Sequence, residues 1–245
     1  AGILLKLGGY GMLRFLIPLF PLATVYFIPF VYCISIVGII YTSAVTIRQV
    51  DLKKIIADSS VAHMNFVTIG LFSLTANGIE GSIFLMLSHG IVSSALFICI
   101  GILYDRYHSR LLFYYGGLNM VMPIYSTFFL IFTLANMGLP GLSNFVGELL
   151  VLLGVYTNST STAFLAAIGT VLGAVYSIWI YNRIMFGVIQ TEFITEYCDV
   201  NKREFFILFL LSSISFFFGI YPNCIFSVLH YTFLYSFDFW FDGLV

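Results

Sequence analysis

Seven long apolar runs, joined by loops whose charge alternates, constrain this chain more than any other feature. A helix crossing about 30 Å of hydrocarbon needs roughly 20 apolar residues. Runs that meet this demand lie at about 1–18, 25–47, 55–76, 79–103, 118–156, 161–186 and 204–221. The 48–54 loop carries Arg48, Lys53 and Lys54, and the 104–110 loop carries Arg106 and Arg110. The 183–203 stretch carries Arg183, Lys202 and Arg203, which brings these three connections to eight of the ten Lys and Arg residues. The intervening loops, 19–24, 77–78 and 157–160, carry none. Strict alternation of this kind follows the positive-inside rule, and a missed or invented span would break its parity. The cationic loops are therefore expected on the cytoplasmic side of a bacterium or the matrix side of a mitochondrion. The fold class expected is all-α: a polytopic transmembrane helical bundle of about seven spans.

Composition excludes the main alternatives. Residues are 60% hydrophobic and 9% charged, where an average globular chain is about one quarter charged. A transmembrane β-barrel needs alternating polar positions, and Phe205 to Ile220 has no such alternation. Ten cations balance eleven acids, so the clustered positive charge that nucleic acid binding requires is missing. Cys33, Cys99, Cys198 and Cys224 form no CxxC pair and no metal-ligand spacing, and they read as small apolar fillers. The chain starts at Ala1 inside an apolar run, without a signal-peptide pattern. A processed chain or one piece of a longer protein is the expectation.

The 118–156 run is too long for one crossing, since 39 helical residues would reach about 58 Å. Leu139-Pro140-Gly141 lies near its middle. Proline removes a donor and clashes with the preceding turn, and glycine permits a sharp bend. The span is expected to be discontinuous at Pro140-Gly141, two half-helices of the sort that mark transporters. Residues 222–245 carry Asp238 and Asp242, no Lys or Arg, and aromatics from Tyr231 to Phe241. They read as an aromatic interfacial tail, with an eighth short span as the alternative.

Away from the loops few titratable side chains remain, and four of them fall deep inside the spans. Lys6 lies twelve residues before Pro18, three turns and more from the end of its run. His63 lies eight residues into its run and His89 ten into the next, counted from opposite faces. Glu148 follows the Pro140-Gly141 break. Each helical residue advances about 1.5 Å, so all four fall near the middle of a membrane about 30 Å thick. The matched depth of the two histidines weighs more than either alone. An intramembrane Lys or Asp costs roughly 2.5–3.5 kcal/mol and reads as functional by default. The plain alternatives are a structural ion pair for Lys6 and Glu148 and a hydrogen-bonded core role for each histidine. Histidine titrates near neutrality, so Lys, His, His and Glu in a low dielectric can pass a proton in small energy steps. Ser59 and Ser60 lie one turn before His63, and Ser93 and Ser94 one turn after His89. They can border the same faces and extend a hydrogen-bonded path, though serine also serves close helix packing. Arg14, two turns beyond Lys6, reads as partner-bound or snorkelling.

Other site chemistries fit poorly. Each span has one histidine where a b-type haem site usually pairs two on each of two helices. There is no P-loop or GxGxxG, and no Ser/His/Asp or paired-carboxylate set. Gly8-Gly9-Tyr10-Gly11 lies inside a span and reads as close packing or local unwinding.

Leu4-Leu5-Lys6-Leu7-Gly8-Gly9-Tyr10-Gly11, Asp51-Leu52-Lys53-Lys54-Ile55-Ile56-Ala57, Ser59-Ser60-Val61-Ala62-His63-Met64 and Leu87-Ser88-His89-Gly90 form a recognisable set. Leu103-Tyr104-Asp105-Arg106 and Leu139-Pro140-Gly141 with Phe145-Val146-Gly147-Glu148 complete it. The set resembles the chain 4 family of mitochondrial NADH:ubiquinone oxidoreductase (respiratory complex I), from residue 1 to about 187. Parts of it also occur in bacterial complex I and multisubunit Na⁺/H⁺ antiporters. The resemblance implies a proton-translocating antiporter-like subunit of the membrane arm, in the inner mitochondrial membrane, with the 48–54, 104–110 and 183–203 loops on the matrix side. Lys6 looks like the family's central lysine, His63 and His89 like the histidines of its hydrophilic axis, and Glu148 like the glutamate of its broken helix. NADH, FMN, iron–sulfur clusters and ubiquinone would belong to other subunits, with no cofactor or metal on this chain. Expected partners are other membrane-arm subunits and lipids, without nucleic acid. The alternative is a subunit of a multisubunit Na⁺/H⁺ antiporter. A third reading is a structural module that spaces its neighbours.

Two departures accompany the resemblance. About half of the family protein has no counterpart here, including an intramembrane glutamate and another lysine of its earlier helices. A second chain supplying the missing N-terminal helices, or a fragment, is the expectation. Asp58 stands where the family often has tyrosine, near the charged-loop boundary. Residues 1–221 would then be the transmembrane antiporter-like domain and 222–245 its tail.

Overall fold

A computed structural model describes residues 2–189 and 197–230. Among the described residues every regular element is a helix. The first run folds as α1 (Leu4–Gly11), a π-helical segment (Met12–Leu16) and α2 (Ile17–Leu19). The chain continues as α3 (Pro21–Arg48), α4 (Leu52–Phe72), α5 (Ala76–Tyr107), α6 (Leu118–Val121), α7 (Pro123–Asn136), α8 (Ser143–Asn158), α9 (Thr160–Met185) and α10 (Lys202–Ile220). Helices α3, α4, α5, α9 and α10 are each long and apolar enough to cross a membrane. The other two expected spans are made of pieces. One is the run from α1 to α2, and the other is α7 and α8 on either side of the break at 137–142. Residues 223–230 are again helical. The aromatic tail from Tyr231 onward lies outside the described residues.

Local chemistry sets the helix ends. Asp51 caps α4 by accepting from the Lys53 N–H at 3.0 Å, and Thr75 caps α5 by accepting from the Gly78 N–H at 3.2 Å. Both satisfy a donor that a helix start leaves free. Asn201 and Glu204 form a reciprocal capping box on α10, each side chain accepting from the other's backbone N–H. The Asp199 carboxylate accepts from the Ile124 and Tyr125 N–H groups and so caps α7 from a distant loop.

The cationic loops gather at one end of the bundle. The Leu52 N–H donates to the Arg110 carbonyl at 3.0 Å, and the Leu112 N–H to the Val50 carbonyl at 2.9 Å. Arg106 bonds the Cys198 carbonyl and pairs with Glu204 at 2.6 Å. At the other end, Asn158 bonds the Ser73 carbonyl and Thr75 donates to the Gly154 carbonyl. The charge alternation of the sequence is thus a real two-sided topology.

Helices α4 and α5 form the centre. In the most apolar window of each, 67% and 61% of residues are buried, against 28% in α3 and 17% in α10. Water is not the driving partner inside a bilayer, so close approach of small residues decides which helices meet. Gly147, Val151 and Gly154 of α8 lie on Leu85, Gly81 and Gly78 of α5 in antiparallel register. A Cβ on Gly81 would stand 2.7 Å from Leu150, and one on Gly147 would stand 2.8 Å from Leu85. The Ser82 hydroxyl lies between the Gly78 carbonyl of its own helix at 2.7 Å and the Val67 carbonyl of α4 at 3.1 Å. Helices α3 and α10 are apolar around most of their circumference and leave large side chains such as Tyr26, Phe30, Phe206 and Phe209 exposed, as helices facing lipid or other spans do.

Candidate functional site

Four helices each bring one titratable side chain to a single line. Lys6 comes from α1, His89 from α5, His63 from α4 and Glu148 from α8. The Lys6 ammonium lies 2.7 Å from His89 Nδ1. The His89 and His63 ring centroids are 5.0 Å apart, with planes at 46°. His63 Nδ1 lies 3.2 Å from Glu148 Oε1, within ion-pair distance but not aligned as a hydrogen bond. His63, His89 and Glu148 are buried and Lys6 is half-buried. Among the described residues, His63 Nε2, His89 Nε2 and Glu148 Oε1 have no hydrogen-bond partner. Buried polar atoms in that condition are expected to take water.

The broken span explains how a carboxylate reaches this depth. Helix α7 ends in a left-handed glycine, Gly138, at φ +76°, a conformation that glycine adopts without steric cost. A Cβ at Gly138 would stand 2.7 Å from Glu148 Oε2, so the missing side chain is also the space the carboxylate occupies. Gly141 turns the chain again at φ +94°, and Pro140 between the two cannot extend the helix. Helix α8 then restarts and carries Glu148 on the face that holds Gly147 and Val151.

Space remains beside the His63–Glu148 contact. A cavity of about 10 Å³ has Ser43, Asn136, Thr170 and Tyr176 in its wall. On the far side of Glu148 a wide apolar groove of about 660 Å³ runs between α8 and α9, past Phe145, Leu149 and Phe164.

The remaining residues singled out by the sequence fall elsewhere. Ser59 and Ser60 donate to the Ile56 carbonyl at 2.8 and 3.0 Å, and Ser94 to the Ile91 carbonyl at 2.8 Å. Their hydroxyl protons are thus held by their own helices. Ser93 is buried, and its oxygen has no hydrogen-bond partner among the described residues. Arg14 is exposed on the π-helical segment. Gly9 approaches α5 closely, where a Cβ would stand 2.6 Å from Met86 Sδ, and the helix loosens immediately after Gly11. The glycine cluster itself stays α-helical and packs closely, and the π-helical segment begins after it, at Met12.

Sequence reading passed over Asn136, Tyr176 and Glu80. Asn136 and Tyr176 are buried beside the site and look like ordinary polar residues in apolar runs. Glu80 sits at the edge of its expected run, but α5 begins at Ala76, which carries it one turn inward. There it is buried and pairs with His230 Nδ1 at 3.2 Å.

Comparison with known proteins places this geometry. The family described as NADH:quinone oxidoreductase/Mrp antiporter, transmembrane, matches residues 1–173. NADH-ubiquinone oxidoreductase chain 4 of Marchantia polymorpha is 60% identical over 232 residues, covering 94% of this chain and 46% of that protein. Among solved structures, respiratory complex I from Thermus thermophilus with bound NADH superposes with a TM-score of 0.86 at 29% identity, over 92% of this chain and 47% of the matched chain. The Mrp complex from Dietzia sp. DQ12-45-1b superposes with a TM-score of 0.75 at 16% identity, over 84% of this chain and 46% of the matched one, a likeness of fold alone. The chain spans about half the length of the relatives it matches.

Proposed function

The chain belongs to the NADH:quinone oxidoreductase/Mrp antiporter transmembrane family, and from that premise we propose that it is part of a proton-translocating antiporter-like subunit of respiratory complex I. The observation that carries this reading is the line Lys6, His89, His63, Glu148, drawn from four helices into one buried layer. An imidazole takes a proton on one ring nitrogen and releases one from the other. Lys6 bonded to His89 Nδ1 can hand its proton to that ring, which releases one from Nε2 toward His63. His63 faces the Glu148 carboxylate, the last acceptor on the line. Each step moves one proton, and the line must be reset before the next: Lys6 takes up a proton, each imidazole returns to its first tautomer, and Glu148 releases its proton. None of these steps needs a redox group on this chain. Oxidation of NADH and reduction of ubiquinone would take place in other subunits and change the electrostatics at one end of the line.

The inner mitochondrial membrane, with the cationic loops in the matrix, would fit the topology and the likeness to NADH-ubiquinone oxidoreductase chain 4. Other membrane-arm subunits and lipids would surround the bundle. The exposed apolar faces of α1 and α3 would meet the helices that make up the other half of the full-length relatives, from a second chain or the same one. The apolar groove beside Glu148 would be covered by a neighbouring subunit.

The test is Glu148→Gln in the assembled parent complex. Proton pumping and coupled turnover should fall by roughly tenfold or more, as for loss of a proton-transfer group, with the amount of assembled complex largely kept. Normal coupled activity in a fully assembled Glu148→Gln complex would overturn the reading. A Na⁺/H⁺ antiporter role would instead bring copurification with antiporter subunits alone, without flavin or iron–sulfur subunits.

A further inference from the structure

Glu80 is a buried carboxylate that the titratable line does not use, and it lies where the chain turns after α10. It sits on α5 one turn inside Ala76, at the end of the bundle opposite the cationic loops. Helix α10 stops at Tyr221. The Pro222 carbonyl then accepts from the Ile225 and Phe226 N–H groups and opens the helix at 223–230. That helix lies on α5 through two side chains. Phe226 stacks on the buried Phe84, with 5.0 Å between ring centroids and 24° between planes. His230 Nδ1 lies 3.2 Å from Glu80 Oε1. Phe226 and His230 are four residues apart, as are Glu80 and Phe84, and that spacing puts each pair on one helix face. The two contacts therefore lie one turn apart, with the helices running in opposite senses. The apolar stack is the deeper of the two and the polar pair the outer. Phe218 of α10 meets Phe84 as well, at 6.4 Å, so one ring holds both sides of the turn at 221–222.

We propose that Glu80 and His230 form a proton-sensitive latch. It fastens the helix at 223–230 to α5 when the imidazole is charged and loosens it when the imidazole is neutral. The partners are exposed unequally, the Glu80 side chain 12% and that of His230 65%. The histidine can therefore exchange protons with its surroundings at that end of the bundle. An ion pair is worth little where water can replace either partner, but a mostly buried carboxylate that loses its partner bears its own desolvation cost. A charge-assisted bond is also roughly twice as strong as a neutral one. Histidine changes charge between about pH 5 and about pH 8, which sets the sign. At the acid end of that range an imidazolium faces the carboxylate and the latch is closed. As pH rises the ring gives its proton to the solution, and a neutral ring and the stack on Phe84 remain. The charges of the titratable line lie deeper, and those of the cationic loops lie at the opposite end. Other titratable groups toward this end, on elements packed against α5, are Tyr10, Arg14, Tyr156, Tyr221 and Cys224. Tyr156 lines the groove between α8 and α9, and the Cys224 thiol donates to the Tyr221 carbonyl at 3.3 Å. Among the described residues none of these five bonds Glu80 or His230. His89 lies nine residues inward of Glu80 on the same helix, about 14 Å away. The latch thus ties the seat of α5 to the acidity of one side of the membrane, and it stands whether or not the line carries protons.

The experiment is hydrogen–deuterium exchange on the intact parent complex. Protection of the 223–230 backbone amides is read at about pH 5.5 and about pH 8, corrected for the intrinsic exchange rate at each pH. The wild type should be several-fold better protected at the lower pH. His230→Gln and Glu80→Gln should each show the weaker protection at both values. His230→Lys keeps its charge across the whole range and should show the stronger protection at both. Equal protection at the two pH values in the wild type, or a pH difference that persists in His230→Gln, would overturn the latch. Should a glutamine variant fail to assemble, the wild type and His230→Lys decide between them. A pH-dependent wild type beside a uniformly protected His230→Lys supports the latch, and any other combination overturns it.

Discussion

The two ends of the titratable line are held in different ways. At the Lys6 end, α1 buries Gly9 alone among its eight residues, and the ammonium reaches His89 through a flexible side chain and a 2.7 Å contact. At the Glu148 end, the carboxylate is short, its helix is locked against α5 through glycines, and its place is cut out of the backbone at Gly138. One end depends on side-chain reach and the other on main-chain geometry. A substitution that changes shape should therefore act more strongly at the Glu148 end than at the Lys6 end, whereas loss of the titratable group should act at both.

The largest effect is expected from shape. Gly154→Leu drives a side chain into the Gly78 backbone and forces α5 and α8 apart. Overpacking of a tight contact costs about 1–3 kcal/mol or more, and here no flexible side chain can give way. The amount of assembled complex on a native gel should drop severely. Gly8→Ala, at a position with no neighbour within 4 Å in the described structure, should assemble normally. Equal assembly of the two variants would erase the contrast between the ends.

Lys6→Arg comes next and sharpens the comparison from the other side. The charge stays, but a guanidinium does not release its proton. If Lys6 passes protons, coupled turnover should fall by roughly tenfold to 100-fold in a complex that assembles as wild type. A near-normal rate would reduce Lys6 to a structural cation. Gly138→Ala should have a smaller effect of mixed kind. The positive φ costs about 1–2 kcal/mol with a Cβ present, and that Cβ crowds Glu148 Oε2. Turnover should fall several-fold, by about one kcal/mol in the barrier, together with modestly reduced heat stability of the complex. Wild-type values in both would mean that the break does not position the carboxylate. Ser94→Ala closes the series. Its hydroxyl bonds its own helix, and membrane hydrogen bonds average about 0.6 kcal/mol, so turnover should stay within about twofold. A large loss would give Ser94 a part in the line that its geometry does not indicate.

Much of the site was legible because charge is costly in hydrocarbon. Lys6, His63, His89 and Glu148 stand out from runs of Leu, Ile and Phe, and depth counted from loop ends puts the histidines together. The serines misdirect because a hydroxyl has two uses in a membrane helix. Ser59, Ser60 and Ser94 bond carbonyls of their own helices, and Ser82, which reaches a carbonyl of α4 as well as one of its own helix, carries no distinguishing mark. Glu80 was hidden by the uncertainty of a helix boundary, which is commonly one or two residues. Asn136 and Tyr176 had no signal at all, because a polar residue in an apolar run gains meaning only from its place beside His63 and Glu148 in the folded bundle.

Counting along the chain was enough for the number of apolar runs, for which loops share a side and for the place where one span breaks. These follow from bilayer thickness, from the charge of short segments and from proline and glycine, all properties local to the chain. It took the packing of the helices to decide that Lys6 meets His89 rather than Glu148, and that His63 faces the broken span. Those choices depend on which helix faces approach one another across long sequence separations. Close contact between glycines on α5 and α8 sets that approach, and hydropathy does not record it.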